Sequence, residues 1–208
     1  MFYSLQGEGV RTGVPAVFLR LAGCNLSCVW CDTKYSWGAG IECDEQQLVD
    51  DILAFNCPSL VITGGEPLLQ VPALEKLIQL LPDHLHIEIE TNGTQEASPY
   101  LLGRVNQWNI SPKLSSAGQG ILAIDHDLLD DYAELPNVWF KFVIEREEDW
   151  AQVSSLGVPR DKIILMPCAQ TRDQLREVRP MVANLCIKHG VRLGDRLHLE
   201  LWDDQKGV

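Results

Sequence analysis

At 208 residues, with 46% hydrophobic and 22% charged residues, the chain has the makeup of a soluble globular protein able to bury a core. No apolar run approaches the roughly 18 residues of a membrane span, and the N-terminus does not read as a signal peptide. The formal net charge of −12 argues against stable binding to nucleic acid, and seven cysteines, an odd number, point to a reducing compartment, the cytoplasm. An anionic small ligand would need local cations, for which Arg20, Lys113 and Lys141 stand at or beside predicted strands.

Near the start, Gly7 and Gly9 bracket Glu8 and would let the backbone approach a flat ligand. Strand-like runs follow at Val17–Leu21, Ser59–Thr63, Leu85–Glu90, Trp108–Ser111, Val138–Ile144, Ile163–Met166 and Leu197–Leu201. Helix-like runs are Glu45–Phe55, Pro72–Leu81, Glu147–Leu156 and Thr171–His189, the last with Leu175, Val178, Val182 and Leu185 at helical spacing. Asp44 with Gln47 is an N-cap signature, and Gly157 and Gly190 read as stops. Ala117-Gly118-Gln119-Gly120 reads as an exposed loop before, at most, a short helix.

Strands alternating with helices imply parallel βαβ units. A closed eight-unit barrel takes about 250 residues, so this α/β chain is expected to form one domain over residues 1–208. Its architecture would be an incomplete, splayed parallel barrel of six to seven strands. Ligands of such sheets bind beyond the carboxyl ends of the strands. Cys24, Thr63-Gly64-Gly65, Glu90-Thr91-Asn92, Ser111-Pro112-Lys113 and Met166-Pro167 all fall there.

Cys24, Cys28 and Cys31 are spaced C-x3-C-x2-C directly after the apolar run at residues 16–21. Three thiols in so tight a loop can wrap one corner of an iron–sulfur cluster, leaving one iron of a four-iron cube open for another ligand. Cys43 and Cys57 keep a four-thiolate zinc site as the alternative. Cys168 and Cys186, like those two, read otherwise as core or surface thiols. Gly64-Gly65-Glu66-Pro67 can expose backbone carbonyls to a ligand ammonium, or be an ordinary strand-to-helix turn.

The cysteine motif, with Trp30 before its third cysteine, resembles that of the radical S-adenosylmethionine (SAM) superfamily. Residues 2–9, Cys31-Asp32-Thr33, Thr63-Gly64-Gly65-Glu66-Pro67 and Ser111-Pro112-Lys113 narrow the resemblance to the 7-carboxy-7-deazaguanine synthase family, over residues 2 to about 201. The resemblance implies a partial TIM-barrel-like fold and a [4Fe–4S] cluster on Cys24, Cys28 and Cys31, with SAM chelating the open iron. It assigns the SAM amino group to Gly64, Gly65 and Glu66, the ribose to Glu90 and Asn92, and the carboxylate to Ser111, Pro112 and Lys113. Met166, Pro167, Cys168 and Ala169 would pack on the adenine. Leu5, Gln6, Gly7, Glu8, Arg20, Thr63 and His198 would bind a pterin, with Glu8 accepting its paired N–H and amine donors, and Arg20 its carboxylate. Thr33 would ligate Mg2+.

The family's reaction converts 6-carboxy-5,6,7,8-tetrahydropterin to 7-carboxy-7-deazaguanine with loss of ammonia, in queuosine biosynthesis. A homodimer and a reducing partner such as flavodoxin or ferredoxin are implied as well. Relatives carry more residues ahead of the glutamine-glycine loop, so either the sequence is trimmed at its start or a shortened first strand is expected. A radical SAM activase of a glycyl-radical enzyme would share the cysteine motif but not the pterin-reading loop.

Overall fold

The computed structural model describes residues 1–208, apart from the side chains of residues 121 and 122. One sheet carries the strands in sequence order: β1 (Phe2–Leu5), β2 (Pro15–Leu21), β3 (Ser59–Gly64), β4 (His86–Thr91), β5 (Gln107–Ile110), β6 (Val138–Ile144), β7 (Ile163–Pro167) and β8 (Arg192–Leu193). β1 pairs antiparallel with β2, and every later pair is parallel. The first and last strands pair on one side only, so the barrel stays open. Eight strands stand where six or seven were expected.

The helices are α1 (Glu45–Ala54), α2 (Val71–Leu80), α3 (Pro99–Arg104), α4 (His126–Ala133), α5 (Asp149–Ser155), α6 (Arg172–His189) and α7 (Leu197–Trp202). None is long and apolar enough to cross a membrane among the described residues. Asp44 caps α1 by accepting from the Gln46 and Gln47 amides, as its position predicts. Gly190 ends α6 in the left-handed conformation.

Two sequence expectations fail, while the shortened first strand is present. Leu197–Leu201 is helical, because Leu-x-Leu-x-Leu over five residues fits either period. α7 buries Leu199 and turns Glu200 out to Arg176 and Arg179 of α6. Phe2–Leu5 forms a four-residue strand whose Phe2 ring stacks on Phe18 at 5.0 Å. In the loop ahead of α4, Ala117 is buried rather than exposed and Gly118 packs against Val29 of the cysteine loop.

Strand alternation sorts the residues into two layers. Val17, Leu19, Leu60, Ile62, Ile87, Ile89, Trp108, Ile110, Phe140 and Phe142 join one core with Ile52 of α1, Leu74 of α2 and Val182 of α6. Their neighbours face the barrel interior: Arg20, Thr63, Glu88, Glu90, Asn109 and Lys141. The outer layer holds the fold by apolar burial, about 25 cal/mol per Å2. The inner layer carries buried charge, which is tolerable only where paired.

Candidate active site

One cavity opens at the carboxyl ends of the parallel strands. Cys24, Cys28 and Cys31 line it as free thiols. The loop carrying them is packed onto the turn after β3, where Gly65 N donates to Leu21 O (3.1 Å) and Glu66 N to Gly23 O (2.8 Å). Gly64 lies at φ +153°, and a Cβ on Gly65 would overlap the Gly23 carbonyl and the Cys24 side chain. The two glycines thus serve the approach of one loop to another. Burial pushes the Cys24 and Cys28 thiols up, against which the Lys113 ammonium draws both down. Lys113 itself donates to Ser111 O (2.6 Å) and Ser111 Oγ (2.8 Å), with its ammonium 5.9 Å from the Trp30 ring centroid.

The residues fit a cluster held by three thiolates better than a zinc site. Cys57 reaches the carbonyls of Pro15 and Ser59 at the opposite end of β2 and β3, and Cys43 is exposed beside Ile41. Neither lines the cavity, and among the described residues no three His, Cys, Asp or Glu side chains converge as a single ion requires.

Opposite the cysteines stands a charged lattice. Glu8 Oε2 accepts from Lys141 Nζ at 2.7 Å and Glu8 Oε1 from Arg196 Nε at 3.1 Å. Lys141 also reaches Glu90 Oε2 at 2.5 Å. The Arg196 guanidinium, buried, bonds Asp32 of the cysteine motif and the Ala169 carbonyl as well. Burial alone would raise the Glu8 carboxyl, but Lys141, Arg196 and His198 outweigh it and hold it well below the usual carboxylate range. Burial likewise opposes the charges of Lys141 and Arg196, yet their carboxylate partners hold both above their ordinary values. Asp32 is held low, Arg196 overcoming burial. A carboxylate fixed between two cations remains an acceptor only, suited to a ligand edge presenting two donors.

The cavity is lined by every residue to which the resemblance assigned a role except Glu66, Pro112 and Pro167. Several of these side chains serve otherwise than expected. Glu66 is fully buried and accepts from Leu68 N, Thr91 Oγ1 and Asn92 N, bracing the β3 and β4 turns instead of meeting a ligand ammonium. The Asn92 side chain donates to Asn25 Oδ1 at 2.9 Å and accepts from Thr94, tying the cysteine loop down. The Gln6 amide, expected to read a ligand atom, donates to Glu88 and Glu90 and accepts from Glu8 N. His198 lies on α7, not on a strand, and its ring covers Gly7, where a Cβ would strike Nδ1. Gly7 therefore leaves the room that the His198 ring occupies.

Arg20 lines the cavity from β2, and its Nε is buried with no partner among the described residues, a vacant donor for an anion. Met166 at the end of β7 and Cys168 and Ala169 just past it line the wall, and burial raises the Cys168 thiol to about 11. Thr33 Oγ1 sits 3.5 Å from Cys31 Sγ. Arg196, Asp32 and Glu88 were missed. Arg196 carries no period or motif of its own and Asp32 stood in the quoted Cys31-Asp32-Thr33 segment without a role, whereas the alternation His86-Ile87-Glu88-Ile89-Glu90 held a legible signal that both acids share the inner face.

An open parallel barrel with three cysteines on a cavity that also holds charged side chains defines the radical SAM class, and the pattern of the Radical SAM superfamily matches residues 19–154. The chain is 38% identical to the 7-carboxy-7-deazaguanine synthase of Pyrobaculum aerophilum, covering 100% of this chain and 95% of that protein. It is 36% identical to the synthase of Hyperthermus butylicus, over 96% and 89%. The crystal structure of QueE from Escherichia coli superposes with a TM-score of 0.70 at 28% identity, over 95% and 92% of the two chains. The chain belongs to the 7-carboxy-7-deazaguanine synthase family of radical SAM enzymes.

Proposed function

We propose that this chain, as one domain in the cytoplasm, converts 6-carboxy-5,6,7,8-tetrahydropterin to 7-carboxy-7-deazaguanine with release of ammonia. The observation that carries the reading is the Glu8 carboxylate, clamped by Lys141 and Arg196 on a cavity shared with the three cysteines. A pterin presents a ring N–H beside an exocyclic amine, which a fixed carboxylate accepts in bidentate fashion. Arg20, with its vacant Nε, pairs the substrate carboxylate.

Cys24, Cys28 and Cys31 would hold the [4Fe–4S] cluster, which together with bound SAM would supply the radical that starts the reaction. Lys113 pairs the SAM carboxylate, the carbonyls at Gly64 and Gly65 receive its ammonium, Glu90 faces its ribose, and the wall from Met166 to Ala169 packs its adenine. Thr63 and Leu5 line the substrate side, and His198 over Gly7 closes that side from water. Thr33 offers a single hydroxyl, and Asp32 beside it is taken by Arg196. Thr33 would be the residue to hold Mg2+, a cation that takes few protein ligands and would steady the substrate carboxylate.

A flavodoxin or ferredoxin delivers the electron, and two copies of the chain form a homodimer. The activase reading leaves the Glu8 clamp without a purpose. Anaerobic incubation with dithionite, SAM, Mg2+ and the carboxylated tetrahydropterin tests the proposal. The deazapurine and ammonia are expected in equal amounts, and SAM cleavage without either would refute it.

A further inference from the structure

Beneath the Glu8 clamp lies a layer that the reaction above does not use. Glu88, 1% exposed, and Glu90 face the same interior from β4, but Glu88 does not reach the cavity wall. Glu88 Oε1 accepts from Gln6 Nε2 and from Asn109 Nδ2, the latter at 2.6 Å. Asn109 Nδ2 also reaches Glu90 Oε1 at 3.2 Å. With its nitrogen held between two acids, the Gln6 amide has one direction left for its oxygen, and that oxygen accepts the Glu8 backbone N–H at 3.1 Å. Glu88 Oε2 is buried with no hydrogen-bond partner among the described residues.

We infer that Glu88 is a positioning residue that turns the Gln6 amide and, through the Gln6–Glu8 hydrogen bond, sets the carboxylate reading the ligand's paired donors. The inference rests on the pterin reading of Glu8. Charged neighbours come from each packed element: Glu90 and His86 on β4, Lys141 on β6, and Arg11 from the loop after β1, its Nε 3.8 Å from Glu88 Oε2. Burial and Glu90 outweigh the cations and push the Glu88 carboxyl up to about 8. At neutral pH Glu88 then holds its proton, and above pH 8 it adds a negative charge near the Lys141 ammonium. A neutral acid that only accepts at Oε1 can be replaced in shape by an amide.

The test is calorimetric binding of 6-carboxypterin to the cluster-loaded protein with SAM present, from pH 6.5 to 9. Glu88→Gln mimics the protonated acid and is expected to bind within about threefold of the unsubstituted protein at pH 7, whereas Glu88→Leu and Gln6→Leu bind roughly tenfold more weakly, with SAM affinity unchanged. The ratio of dissociation constants, unsubstituted over Glu88→Gln, cancels ionisation of the pterin itself. It is expected to rise above pH 8 by up to about tenfold per unit. Tenfold weaker binding by Glu88→Gln at pH 7, a flat ratio, or a parallel loss of SAM affinity would overturn the role of Glu88 alone. Failure of the unsubstituted protein to bind the pterin would overturn the functional reading, and this inference with it.

Discussion

Lys141 Nζ lies 2.7 Å from Glu8 Oε2, an ion pair joining the middle of β6 to the loop after β1. The same ammonium holds Glu90, so Lys141→Met strands two inward carboxylates. Breaking such a pair costs on the order of 3 kcal/mol, readable as a lower urea midpoint. The pH range follows from the shifts. Glu8 is depressed below 4.5, so its contribution is whole above that value and lost as pH falls towards its folded pKa. Lys141 is raised above 10.5, so its contribution is whole below that value and lost as pH climbs beyond its folded pKa. The stability gap between the unsubstituted and Lys141→Met proteins should therefore stay level from about pH 5 to 7, below the range in which Glu88 titrates. A variant as stable as the unsubstituted protein would contradict the pairing.

Arg196 meets three segments with one fork: Glu8, Asp32 and the Ala169 carbonyl. A lysine keeps the charge but cannot span three acceptors, so Arg196→Lys should raise the pterin KM by about tenfold or more. Iron content should not change, because none of the cluster thiols touches Arg196. Iron loss in parallel with the KM rise would mean the guanidinium holds the cysteine loop rather than Glu8.

Much of this site was legible because its residues sit at fixed offsets from strand ends. The β-branched run Val61-Ile62-Thr63 announced β3, and the glycines after it announced the turn. What escaped was decided by tertiary contact. Leu197–Leu201 became a helix since Leu197 N donates to Gly7 O and Glu200 found two arginines on α6. The same contact put His198 over Gly7 and brought Arg196 to Glu8, a pairing 188 residues apart that no local pattern encodes. β8, two residues long, is too short to show a period.

The cysteines divide by position. Cys28→Ala should abolish the brown colour and most bound iron, while Cys43→Ser and Cys57→Ser should keep both and shift stability by no more than about 1 kcal/mol. Iron counted per chain after anaerobic reconstitution checks this. Loss of iron on changing Cys57, at the far end of the sheet, would refute the three-thiolate assignment.

Gly65→Ala places a methyl group against the Gly23 carbonyl and the Cys24 side chain. The cysteine loop must move, so the variant should lose stability by about 2 kcal/mol or more and bind iron poorly. Thermal unfolding and iron content read the two effects. A normal cluster on this variant would show that the loop does not depend on the β3 turn.

Electron paramagnetic resonance of the dithionite-reduced protein, recorded before and after adding SAM, addresses the vacant iron corner most directly. In the proposed arrangement three protein thiolates leave that corner to SAM, and the spectrum of the reduced cluster should shift on its addition. A spectrum that SAM leaves unchanged would mean the fourth iron is already held by the protein, and the chemistry assigned to this cavity could not begin there.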